Sequence, residues 1–93
     1  MKPLFVTKNV VLADAPRLLK GEHLKFICYQ EDYPDIKLDA IGFNLGEFKD
    51  LILDQPFDIA YHIDENHWNG KSNLQLMIKD IKISLFDEKL KGF

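Results

Sequence analysis

The chain has 93 residues, 46% of them apolar and 29% charged, with 12 Lys and Arg against 15 Asp and Glu for a formal net charge of −3. That length supports one domain burying about two-thirds of its unfolded surface, and the apolar share excludes a disordered tail. The acidic balance argues against tight autonomous binding to nucleic acid, because phosphate neutralisation supplies most non-specific affinity, although a locally basic face is compatible with it.

No run approaches the ~18 apolar residues of a membrane span, and Met1-Lys2-Pro3-Leu4 does not lead into an apolar signal segment. The single Cys28 cannot close an internal disulfide, which fits a reducing cytoplasm. It alternates with Leu24 and Phe26 and reads as a small core residue.

In chain order, Leu4 to Leu12 (LFVTKNVVL) is β-rich and predicts a first strand after Pro3. Ala13 to Gly21 reads as a loop, with Pro16 and Gly21 as breakers and Arg17 and Lys20 as its charges. His23 to Tyr29 alternates, with Leu24, Phe26 and Cys28 inward and His23, Lys25, Ile27 and Tyr29 outward. A turn over Gln30 to Asp35 leads to a third strand, Ile36 to Phe43, in which Gly42 permits a sharp bend. Asn44 then reads as a helix N-cap, with Glu47 three residues on. Leu45, Phe48, Leu51 and Ile52 follow at helical spacing, and Asp54-Gln55-Pro56 ends the helix.

The strongest pattern is Phe57 to Ile83. Phe57, Ile59, Tyr61 and Ile63 alternate with Asp58, Ala60, His62 and Asp64, and Asn69-Gly70 supplies the two positive φ angles of a type I′ turn. Leu74, Leu76 and Ile78 then resume the alternation, so a long hairpin is predicted. With Trp68 opposite Lys71, Ile63 falls opposite Leu76 and Tyr61 opposite Ile78. Unbroken pairing would then set Ile59 against Asp80 and Phe57 against Lys82. One extra residue at Lys79-Asp80 restores Ile59 to Ile81 and Phe57 to Ile83, so a β-bulge is predicted there. Ser84 to Phe93 mixes charged and apolar residues and reads as a weakly ordered or short helical terminus.

The order β-β-β-α-β-β predicts an all-β domain with one helix, a five-stranded OB-fold barrel over residues 1–84 followed by a tail over 85–93. The helix between the third and fourth strands plugs the barrel's open end. An SH3-like barrel is the alternative, but it has no comparable helix in that slot.

Ala40-Ile41-Gly42-Phe43-Asn44-Leu45-Gly46, Glu65-Asn66-His67-Trp68-Asn69-Gly70 and Leu74-Gln75-Leu76-Met77-Ile78-Lys79-Asp80-Ile81 carry a resemblance. Together they resemble the OB-fold domain of the RecJ family of bacterial single-stranded-DNA-specific exonucleases, over roughly Pro3 to Lys82. The resemblance implies 5′-to-3′ degradation of single-stranded DNA in recombination and repair. It also implies a DHH-type phosphoesterase core that uses Mn²⁺ or Mg²⁺. No Asp-His-His sequence occurs here, and His23, His62 and His67 are isolated, so no catalytic or metal-ligating residue and no cofactor is assigned to this piece. It reads as an excised module of a longer enzyme.

OB-folds bind single strands across strands 2 and 3, flanked by the loops joining strands 1–2 and 4–5. That places Arg17, Lys20, Lys25, Tyr29, Lys37, Trp68 and Lys71 as the candidate nucleic-acid contacts, cations tracking phosphates and aromatics meeting bases. Trp68 reads equally as a ring that caps the barrel end. Glu22, Glu31, Asp32, Asp35 and Asp39 lie near the same surface and repel phosphate unless they point away. Phe43 and Tyr61 read as core residues. The expected partners are single-stranded DNA, the nuclease core of the same polypeptide and a single-strand-binding protein. The rival expectation is a protein-contact module that packs on that core or on a partner without touching DNA, which the acidic balance favours.

Overall fold

A computed structural model describes residues 2–68 and 70–84, apart from the side chains of 66–68. The expected tail over 85–93 and the turn residue Asn69 lie outside the described residues. Six strands are described: β1 (Phe5–Leu12), β2 (Arg17–Leu19), β3 (His23–Gln30), β4 (Leu38–Gly42), β5 (Phe57–Trp68) and β6 (Lys71–Ile83).

Five of them close on themselves. The first half of β1 pairs with β5 (Phe5 with Tyr61, Thr7 with Ile59) and its second half with β3 (Val10 with Gln30, Leu12 with Cys28). β3 pairs with β4, β4 runs parallel to β6, and β6 pairs back to β5. The circuit β1-β3-β4-β6-β5 is the OB-type barrel expected from the order of elements. One strand can serve two neighbours because β1 bends at a register shift between Thr7 and Val10. Asn9 takes φ 58° there, a left-handed conformation that Asn tolerates better than most residues.

The hairpin register is the one that the apolar pattern demands. Ile63 pairs with Leu76 and Tyr61 with Ile78, then the register shifts and Ile59 meets Ile81 and Phe57 meets Ile83. Lys79 is the extra residue, as predicted. β1 accompanies β5 only to Tyr61, and β4 meets β6 at Leu76 and Met77. Beyond these positions the hairpin continues as a two-stranded arm for about 20 Å, at ~3.3 Å per residue.

Two expectations change. The segment read as a loop contains β2, which pairs with the start of β3 after a break around the buried Pro16. Three residues between Pro and Gly breakers are too few to show a period. The predicted α-helix is replaced by a 3-10 helix, Gly46–Phe48, followed by turns. Asn44 has φ 61° and its N–H bonds to the His23 ring at Nδ1, 3.1 Å away, so it lacks the extended backbone of an N-cap. Gly46 donates its N–H to the Glu22 carbonyl at 2.9 Å. A Cβ on Gly46 would lie 2.8 Å from that oxygen, so docking on the β2–β3 turn overrides local helix preference. The apolar spacing still does its work. Leu45 and Phe48 pack on the core and Ile52 is buried within it, so the segment plugs the barrel without an α-helix. Phe43 is a correction: it is 51% exposed, edge-on to the His23 ring, because β4 and its alternation stop at Gly42.

The core is built from Val10, Leu24, Phe26, Cys28, Ala40, Phe57, Ile59, Leu76, Ile78 and Ile81 together with Ile52. Tyr61 packs against it. Burial pushes the Cys28 thiol from 9.0 up to about 12. Above pH 9 the unfolded chain releases a proton that the folded chain keeps, so stability is expected to fall as pH rises from 9 towards 12. Thiol labelling with a disulfide reagent at pH 8 is expected to proceed only as fast as the chain unfolds. Rapid labelling under native conditions would contradict this burial.

Candidate nucleic-acid interface

Alternation along β3 turns Leu24, Phe26 and Cys28 into the core and leaves Lys25, Ile27 and Tyr29 on the outer surface. The β3–β4 register sets Ile41 opposite Lys25 and Asp39 opposite Ile27, so these four share that surface. β2 extends it by placing Arg17 across from Lys25. On the far side, parallel pairing brings Met77 alongside Ile41.

Between these strands lies an open groove of about 580 Å³ lined by Asp14, Ala15, Arg17, Lys25, Ile27 and Asp39, with Phe26 at its floor. The Lys25 ammonium sits 2.6 Å from Asp39 Oδ1. Gln75 of β6 donates through Nε2 to the other carboxylate oxygen at 3.4 Å. At the opposite end of the face, the Lys37 ammonium lies 4.4 Å from the centre of the Tyr29 ring and also donates to the Pro34 carbonyl. Such a cation over a ring face is attracted by its quadrupole.

Of the seven candidate residues, four share this face: Arg17, Lys25, Tyr29 and Lys37. Lys20 is exposed in the tight β2–β3 turn, where it and Gly21 both take positive φ. Lys71 is exposed at the tip of the arm, paired with Trp68 across the ladder. The face and the tip are separate places, because β6 needs five residues to run from Lys71 to Leu76 at the barrel. The side chain of Trp68 lies outside the described residues. Asp39 does not point away from the groove, as a phosphate-binding face would require, but stands in it and engages Lys25.

Ile41, Gln75 and Met77 enter the face without having been singled out from sequence. Their signal was unreadable there, since β4 and β6 are not consecutive and their parallel contact follows only from closure of the barrel. Among the described residues no three His, Cys, Asp or Glu side chains come together.

A closed five-stranded barrel with an exposed mixed-charge groove across β3 and β4 defines an OB-type domain. The chain belongs to the RecJ OB domain family, whose profile matches residues 1–80. It is 33% identical over 91 residues to the single-stranded-DNA-specific exonuclease RecJ of Bacillus subtilis (strain 168), a match covering 92% of this chain. The chain spans 11% of the length of that relative. No solved structure matches it.

Proposed function

We propose that this chain holds single-stranded DNA for a 5′-to-3′ exonuclease whose DHH-type core lies in the rest of a longer cytoplasmic protein, acting in DNA recombination and repair. The Mn²⁺ or Mg²⁺ that such a core uses would be held within that core. A single observation carries the reading. Arg17, Lys25, Tyr29 and Lys37, which come from three different segments, share the outer β3–β4 face, with Arg17 and Lys25 lining its groove and Tyr29 and Lys37 lying beyond it. Cations at both ends of the face suit phosphates along one strand, and the Tyr29 ring beside Lys37 suits a base. Tethering to the core raises the local strand concentration, so weak intrinsic binding suffices.

Titrating the chain with fluorescent oligo-dT at low salt is expected to show weak binding that falls steeply as salt rises. Tyr29→Ala is expected to weaken it by roughly tenfold, the scale of one lost base–aromatic stack. No anisotropy change up to high micromolar protein would overturn the reading. A second reading, a protein-contact module docking on the nuclease core or a single-strand-binding protein, is favoured by the exposed Leu18, Leu19 and Phe43. It predicts that negative result.

A further inference from the structure

We propose that Asp39 is an internal stand-in for a phosphate: it holds the Lys25 ammonium until a strand displaces it, which keeps the grip at the centre of the β3–β4 face weak and quickly released. This rests on the strand-holding reading above. Lys25 is the more buried partner, its side chain 21% exposed against 46% for Asp39. The 2.6 Å separation is that of a charge-assisted hydrogen bond. Gln75 steadies the second carboxylate oxygen at 3.4 Å from β6, so Asp39 is positioned from two strands. Both groups line the groove that Arg17 also lines.

A phosphate entering that groove offers the same kind of acceptor oxygens to the same ammonium. It therefore competes with Asp39 rather than adding to a ready-made cationic strip. A part-exposed ion pair of this kind opens at little cost. Arg17 in the groove, with Lys37 farther along the face, retains the strand while the centre exchanges. A strand that advances through a nuclease must be held without being arrested, and a neutralised centre meets that requirement.

The test is a salt series of oligo-dT titrations on the unmodified chain, Asp39→Asn, Lys25→Ala and the double variant. Asp39→Asn is expected to bind roughly fivefold tighter, with the slope of log K against log salt steeper by about 0.7, one added phosphate contact on a single strand. Lys25→Ala alone leaves the Asp39 carboxylate unpaired in the groove and is expected to weaken binding, and in the Asp39→Asn background to abolish the gain. Equal or weaker binding by Asp39→Asn overturns the proposal, as does a gain that survives Lys25→Ala. Should Asp39→Asn fold poorly, the Asp39 carboxyl-carbon resonance of the unmodified chain is followed during the titration. Movement towards saturation supports displacement, and a resonance that stays put overturns it. Absence of binding by every variant at low salt overturns the strand-holding reading and the gate together. Binding by the unmodified chain with an indifferent Asp39→Asn overturns the gate alone.

Discussion

Replacing Phe57 with alanine is expected to lower the unfolding free energy by about 3–5 kcal/mol, the cost of deleting a large aromatic side chain from a packed interior. Phe57 is fully buried, and its ring meets that of Phe26 edge-on at 5.7 Å between centroids. It sits where β5 is held by β1 on one side, through Val10, and by β6 on the other, through Ile83. The cavity would therefore open at a junction of three strands, where backbone cannot easily collapse to fill it. A domain of this size has about 5–15 kcal/mol in total, so the variant should unfold at a far lower urea concentration. The effect reaches the binding face as well. Phe26 is the inward neighbour of both Lys25 and Ile27, so a loosened Phe26 frees the strand that presents them. A loss below about 1 kcal/mol in urea titration would mean that the junction repacks.

Asp58→Ala is expected to cost about 2–4 kcal/mol, for a different reason. Alternation alone places Asp58 on the outward side of its strand, yet only 7% of its surface is exposed. Its Oδ1 accepts the Asn9 N–H at 3.0 Å and the Ser84 hydroxyl, while the Ser84 N–H bonds to the Pro56 carbonyl at 3.2 Å. One carboxylate thus ties the bend in β1, the start of β5 and the residue following β6. Alanine would leave a buried N–H and a hydroxyl without their acceptor, and unmade hydrogen bonds in a dry site are more costly than made ones are beneficial. Asp58→Asn retains an acceptor oxygen and should lose less than half as much. Amide exchange at Asn9 distinguishes the two variants: it should accelerate strongly in Asp58→Ala and modestly in Asp58→Asn. Equal stabilities for both would show that the carboxylate does not hold the bend.

The two variants mark where sequence reading succeeds and where it stops. The Phe57 to Ile83 hairpin was legible down to its bulge, because period-two burial leaves one register that keeps Phe57, Ile59, Ile81 and Ile83 on the same side. The barrel followed from the order of strands, since few closures accommodate a long hairpin after three strands and a plug. The candidate interface was legible in part. Outward positions on β3 and the cations beside them were recoverable from alternation, but Arg17 was assigned to a loop and Asp39 was known only as a nearby acid.

What the amino-acid order determined by itself was local: which residues alternate, where turns fall, and which apolar positions must share a face. Tertiary structure alone decided that Asn44 would turn left-handed rather than cap a helix, because the Glu22 carbonyl and the His23 ring claim the backbone N–H groups of Gly46 and Asn44. It alone paired Lys25 with Asp39 and brought Gln75 beside them. The Lys25–Asp39 pair runs diagonally across neighbouring strands, whereas the Gln75 contact joins strands distant in sequence and comes into being only when the barrel closes.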